Sequence, residues 1–307
     1  MFSTHTTTKI NTTETMETVI ITFIVIGVLI LVLGTVSNSL SLTHFINTRR
    51  NRETTLSRLF ILLNIFDLQV CVFGICNSLT NLWPKESSRM AYYVTLGIML
   101  LSVQFTWFST CLLAVTRAIK VVSPFYNINW NVMNVAVAVY GLIALASGVL
   151  QVIDPFIPND VEDIVEIVEF FLLATMYVMI LVSNMVCLAS LYCAKSESNL
   201  IRQATITVIL ISISFFILNT CYLLRYGIDA FKIDYHFLDF SYSSLIFERV
   251  FLLSNSAINP VIYFLRNGEM RVWISGNIRN VIQFCMRKIA TGEEVEEGRQ
   301  RTQVEKV

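Results

Sequence analysis

Seven apolar stretches, separated by short polar connections, run along the chain at 19–46, 56–82, 91–122, 131–153, 164–193, 202–227 and 241–265. Each is close to or above the roughly 20 residues a helix needs to cross a bilayer. A segment in lipid must satisfy its backbone hydrogen bonds internally, so each stretch predicts a helix. Residues 1–18 are polar and Thr-rich; they predict an N-terminal tail, with the first apolar run serving as its own signal anchor. After the last stretch, Met270, Trp273, Ile274, Asn277, Val281, Ile282 and Phe284 fall largely on one helical stripe, accompanied by Arg271, Arg279, Arg287 and Lys288. That pattern predicts an amphipathic helix lying on a membrane surface. The charged, Glu-rich end from Thr291 to Val307 predicts disorder. The expected fold is an all-α membrane protein: a seven-transmembrane helix bundle over 19–265, then a short amphipathic cytoplasmic helix and a disordered tail within 266–307.

Composition agrees with the pattern. The 307 residues are 55% apolar and 14% charged, with a mean hydropathy of +0.64, a balance wrong for a soluble globule. A formal net charge of zero argues against a nucleic-acid partner. Six of the seven cysteines lie inside apolar stretches and none forms a CxxC pair, so neither a disulfide framework nor a zinc site is expected. Orientation follows from the bases. With the N-terminus outside, sixteen of the 22 Lys and Arg fall on the inner side, among them Arg49, Arg50, Arg52, Arg58, Arg117, Lys120, Lys195 and Arg202. Two further features fit this orientation. The N-x-[ST] sequon at Asn11 lies in the expected outer tail and is a candidate glycosylation site. The expected outer connection after the fourth stretch carries Asp154, Asp160, Glu162, Asp163, Glu166 and Glu169 with no base, which predicts a solvated acidic loop. Cys285, at the end of the amphipathic stripe, is a candidate lipidation site.

Some residues inside the apolar stretches are costly in lipid. Asp67 is the one carboxylate in the middle of the second stretch, and an ionised Asp at bilayer centre costs about 2.5–3.5 kcal/mol on insertion scales. The last stretch contains Asn255, Ser256, Asn259, Pro260 and Tyr263, with Asn255, Asn259 and Tyr263 spaced four apart on one helix face. Asn38 lies deep in the first stretch, and Thr106 sits roughly 16 Å in from Arg117 along a helix. Carboxylate, hydroxyl and amide oxygens are hard ligands suited to a hydrated Na⁺ or a water cluster. The plainer alternative is interhelical polar glue. For Asp67 alone the two stand level; the asparagines and serine of the last helix favour a functional cluster.

Taken in order, these residues resemble a rhodopsin-like (class A) G-protein-coupled receptor across the whole transmembrane region. The resemblance rests on Asn38; Leu63-Asn64-Ile65-Phe66-Asp67; Thr116-Arg117-Ala118; Pro124-Phe125, seven and eight residues after Arg117; and Asn259-Pro260-Val261-Ile262-Tyr263. It implies a plasma-membrane receptor, not an enzyme, that converts an extracellular ligand into activation of a heterotrimeric G protein, with the lipid bilayer as its surroundings. Asn38, Asp67, Thr106, Asn255, Ser256 and Asn259 match the family's sodium and water pocket, with Asp67 as the candidate Na⁺ ligand and no other cofactor implied. Arg117 matches the arginine that receives the G protein. Tyr263, and Tyr192 in the fifth helix, match tyrosines that pack near it in the active state, and Phe125 matches the second-loop residue that enters the G protein.

The departures carry information too. Thr116 stands where the family has Asp or Glu, and Arg202 falls where some members have an acid, so neither usual ionic lock can form. A loose inactive state with measurable basal signalling is expected. The sixth helix has no tryptophan-x-proline, leaving its kink without an obvious source; Tyr222 or Phe216 would have to act as the toggle. Met99 occupies the position of the amine-binding Asp, and Leu253 that of the retinal-binding lysine, so neither a biogenic amine nor retinal is expected; a peptide or small chemosensory molecule is. Glu248 and Arg249 lie at the depth of a ligand vestibule, roughly 16–18 Å before Pro260. Pairing with each other, or with Arg225 and Asp229, competes with ligand binding there. Tyr222 and Arg225 complete the candidate ligand pocket. A small-solute transporter or channel, or a non-coupling seven-helix ligand sink, is the alternative; the lack of an inverted repeat and the Arg117-to-Phe125 spacing argue against the first.

Overall fold

The structure, a computed structural model, describes residues 4–47, 55–80, 85–123, 126, 130–153, 159–193, 199–232, 242–280, 282–284 and 286, with side chains placed in most of these but not in 4–20, 85–89, 159–166 or 242–249. Pro124, Phe125 and Cys285 lie outside the described residues, as do the side chains of Asn11, Asp229, Glu248 and Arg249. Seven long helices follow one another: α1 (Thr4–Asn47), α2 (Thr55–Thr80), α3 (Lys85–Val122), α4 (Trp130–Ile153), α5 (Asn159–Cys193), α6 (Asn199–Ala230) and α7 (Tyr242–Arg266). A further helix, α8, runs over 268–280. No strand occurs among the described residues. The chain divides into two units, Met1–Tyr263 and Phe264–Val307.

Five helical stretches among the described residues are long and apolar enough to cross a membrane: Ile21–Asn47, Thr55–Thr80, Met90–Val122, Ile167–Tyr192 and Arg202–Arg225. In α4 the apolar stretch is shorter, Asn131–Ala146. Large apolar side chains face outward, including Val25, Leu29 and Leu33 on α1, Val135, Val139 and Leu142 on α4, and Val178, Leu181 and Met185 on α5. A soluble protein does not expose such continuous apolar faces; helices solvated by lipid do. The chain is an all-helical, multi-pass membrane protein.

Helix positions match the apolar stretches, but several helices run past them. The 44 residues of α1 measure about 66 Å at 1.5 Å per residue, twice the hydrocarbon thickness, so helix begins inside the segment expected as a tail. The start of α5 at Asn159 places most of the acidic connection in helix, and Glu169 is buried rather than solvated. Hydropathy marks where lipid ends; hydrogen-bonded backbone can continue beyond it.

In the first unit α3 is the central element: α2, α4, α5 and α6 all pack on it, and α1 packs on α2. At Gly34, α1 comes so close to its neighbours that an added Cβ would stand 2.6 Å from Cys71 Sγ and 3.2 Å from Ala257 Cα. An aromatic ladder joins α2, α3 and α4: Phe66 stacks on Phe105 at 4.3 Å, and Phe108 on Tyr140 at 4.0 Å. Phe108 is thus a packing residue. Past Ala230, α6 ends with Lys232 in the left-handed region, φ 48°, a common helix terminus. In the second unit Asn267 caps α8, its Oδ1 accepting from the Met270 N–H at 3.2 Å. Along α8, Met270 is buried and Trp273 and Ile274 half-buried, while Ile278 is exposed, as are Ile282 and Phe284 beyond residue 280.

Candidate functional site

The last apolar helix carries a proline, and the site grows from that. Pro260 has no N–H, so the Ser256 carbonyl one turn earlier loses its helical donor. Asn38 on α1 supplies a replacement: its Nδ2 donates to Ser256 O at 2.9 Å and also to Gly34 O at 2.9 Å. Both amide hydrogens are used, and the turn before Pro260 in α7 is tied to α1. The close approach at Gly34, one turn before Asn38, is what lets the amide reach.

Asp67 lies beside this link, fully buried. Its Oδ1 accepts from Thr106 Oγ1 on α3 at 3.0 Å, and its Oδ2 from Asn259 Nδ2 on α7 at 2.8 Å. The Ser256 hydroxyl is directed at the same carboxylate. Polar residues from α2, α3 and α7 therefore converge on one carboxylate, and α1 joins through Asn38. Three amide oxygens on α1 and α7, Asn38 Oδ1, Asn255 Oδ1 and Asn259 Oδ1, are buried and receive no hydrogen bond from the protein. An amide oxygen left so is costly unless a water or a cation meets it. One carboxylate with neutral oxygens around it suits a monovalent hard cation such as Na⁺. Among the described residues no group of three or more His, Cys, Asp or Glu comes together that would suit a transition metal.

Near the other end of α3, Arg117 is buried although its side chain is charged. Its Nε donates to Thr205 Oγ1 on α6 at 2.8 Å, and its Nη2 donates to the same oxygen. Thr116, buried beside it, provides no carboxylate, and Arg202 is exposed. A hydroxyl thus accepts from Arg117 where an ionic lock was expected to be missing. Halfway along α3, Trp107 Nε1 donates to Asn219 Oδ1 on α6 at 3.1 Å. Phe215 and Tyr222 meet the same indole edge-on, at 5.9 and 5.3 Å between ring centres.

Several expected site residues stand elsewhere. Tyr192 is 92% exposed and takes no part in the Arg117 contact. Tyr263 is buried between Phe60 and Phe45, with ring centres at 4.9 and 5.9 Å, so it packs against α2 and α1. Phe216 packs on Tyr177 and Phe215, which leaves Tyr222, of the two toggle candidates, in contact with Trp107. Met99 and Leu253 are buried, and Arg225 is half-buried. Thr205, Asn219 and Gly34 were not singled out from the sequence, although all three make the contacts that hold the site together.

No protein-family model matches the chain, and no curated protein matches it. The fold and the site define a multi-pass helical membrane protein with a buried single-carboxylate cluster and a buried arginine on its central helix.

Proposed function

We propose that the chain is a rhodopsin-like G-protein-coupled receptor of the plasma membrane, with seven crossings, its N-terminus outside, and an extracellular ligand that is a peptide or a small chemosensory molecule. The observation that carries this reading is the convergence of Thr106 and Asn259, with Ser256, on Asp67. These residues stand on three separate stretches of the sequence, and Thr106 and Asn259 meet Asp67 at hydrogen-bond distance. Interhelical glue alone needs one acceptor per donor; Asn259, whose Nδ2 meets the carboxylate, also buries an Oδ1 that receives no donor from the protein.

In this reading ligand binds at the end remote from Arg117 and stabilises a conformation in which α6 leaves α3 at the Arg117 end. Ligand works by its difference in affinity for the two states, not by its total affinity. The Thr205 hydroxyl must release Arg117, which then accepts the G protein. A hydrogen bond to a charged group contributes about 1.5–3 kcal/mol. Losing a buried ion-pair partner costs more, about 3–5 kcal/mol. The resting state is accordingly easier to leave than one locked by a carboxylate. Cells expressing the receptor are expected to activate at least one G-protein family above mock-transfected cells without added ligand. Activation equal to mock across all families, with surface expression confirmed, contradicts the reading.

A further inference from the structure

Helix α3 stops where its carbonyls run into a proline. Pro124 carries no N–H, so the Lys120 carbonyl four residues earlier has no helical donor with which to continue. The residue before a proline is also pushed out of the helical region, and Ser123 lies just outside the helix. A last helical bond remains, from the Ser123 N–H to Ile119 O at 2.8 Å. Three residues on, the Tyr126 N–H donates to Ser123 O at 3.0 Å, the bond that closes a four-residue turn. Ser123-Pro124-Phe125-Tyr126 has serine first and proline second, the residues such turns favour.

Lys120 reaches across this turn. Its Nζ donates to Tyr126 O at 2.7 Å, the length of a charge-assisted bond. Had α3 run on, Tyr126 would stand about 9 Å further along the axis than Lys120, so the bond depends on the chain folding back. Tyr126 is thus held at both backbone groups, its N–H by Ser123 and its carbonyl by Lys120. Val122, Ser123 and Tyr126 are all exposed, so packing does little to hold the turn in their place. A lysine in the last turn of a helix is usually explained by the helix dipole or by membrane orientation. Neither calls for a bond to a residue beyond the turn. Lys120 also lies three residues after Arg117, which makes the two neighbours on the helix surface. The clamped turn therefore stands at the arginine's end of α3.

Relying on the receptor reading for the premise that a G protein docks at the Arg117 end of α3, we propose that Lys120 is a positioning residue. It holds the Ser123–Tyr126 turn in the orientation in which the connection between α3 and α4 meets the G protein. Lys120 itself need not touch the partner. A connection ordered before the encounter loses less conformational freedom on binding. Removing the clamp therefore weakens docking and leaves the steps after docking as they were.

The test reads the turn and the coupling separately, on the full chain in lipid nanodiscs. A spin label at Tyr126→Cys, which keeps the backbone carbonyl, reports the order of the turn in a background whose accessible native cysteines are serine. In the unlabelled chain, uptake of a non-hydrolysable GTP analogue against heterotrimer concentration reports the coupling. Lys120→Met removes the donor. Lys120→Met with Val122→Lys removes it but keeps the charge, since Val122 is exposed in the same turn. Lys120→Arg keeps both. The label is expected to become more mobile in the first two variants and not in the third. In the same two, the heterotrimer concentration for half-maximal uptake should rise about three- to tenfold, the worth of one hydrogen bond, with the plateau unchanged. Unchanged label mobility in Lys120→Met overturns the clamp. A freed label with an unchanged half-maximal concentration, or with a lowered plateau instead, overturns the positioning role and leaves the receptor reading intact. No uptake by the original chain with any heterotrimer overturns the receptor reading and the positioning role with it, while the label still decides the clamp.

Discussion

Replacing Gly34 by alanine is expected to destabilise the protein by about 1–3 kcal/mol, the usual cost of forcing an extra carbon into a packed interior. Helix propensity alone gives the opposite sign, since alanine in a helix interior is favoured over glycine by about 0.5–1 kcal/mol. Packing wins because the new Cβ would sit 2.6 Å from Cys71 Sγ and 3.0 and 3.2 Å from the Cβ and Cα of Ala257. The sulfur is on a short, buried side chain and the Cα is backbone, so helices must separate. Separation also pulls Asn38, one turn further on, away from the Ser256 carbonyl that Pro260 leaves without its helical donor. Thermal unfolding in detergent, together with surface expression, reads the effect. Cys71→Ala should recover part of the loss in the double variant, because it removes the nearest clash and leaves the Ala257 contacts. A Gly34→Ala protein as stable as the original would mean that α1 does not pack here as described.

Replacing Asp67 by leucine is expected to lower stability and to remove any effect of sodium. The substitution deletes the acceptor of Thr106 Oγ1 and Asn259 Nδ2. Thr106 can turn its hydroxyl to a carbonyl of its own helix, so its loss is small. Asn259 is left worse: its Oδ1 already receives no hydrogen bond, and a buried donor left without its acceptor costs about 1–3 kcal/mol. Asp67→Asn keeps one acceptor oxygen and should fall between. In choline chloride the order of melting temperatures is expected to be the original protein, then Asp67→Asn, then Asp67→Leu. Exchange of choline for sodium should raise the first and leave the last unchanged. At ten times its dissociation constant a bound ion adds about 1.4 kcal/mol. An equal shift in the Leu variant would place the ion elsewhere or reduce the effect to general salt.

The residues around Asp67 were legible in the sequence because lipid makes polar side chains conspicuous. Asn38, Asp67, Thr106, Asn255 and Asn259 each interrupt an apolar stretch, and Pro260 signals a carbonyl in need of a donor. Thr205 and Asn219 were legible in principle: with Ser212 they are spaced seven apart, which marks one face of a helix. Unlike Asp67, they are uncharged residues of ordinary helix-facing type, so each alone is a weak signal. Gly34 gave no signal, because close approach depends on Cys71 and Ala257, which lie on other helices. The exposure of Tyr192 has a related cause. Spacing fixes a residue's depth but not the direction it faces, and α5 turns this tyrosine outward. Helix ends were the least legible, as in α1 and α5, where helix continues beyond the apolar run.

The receptor claim is tested most directly with purified components: the chain in nanodiscs, purified heterotrimeric G proteins of each family, and uptake of a non-hydrolysable GTP analogue. The prediction is uptake above empty nanodiscs for the original protein with at least one heterotrimer. Thr205→Val, which removes the hydroxyl that accepts from Arg117 on α6, should raise that uptake several-fold. Arg117→Ala should return it to the level of empty nanodiscs while the protein stays folded. No uptake with any heterotrimer, or equal uptake by the Arg117→Ala protein, would contradict the claim that this buried arginine is where a G protein is received.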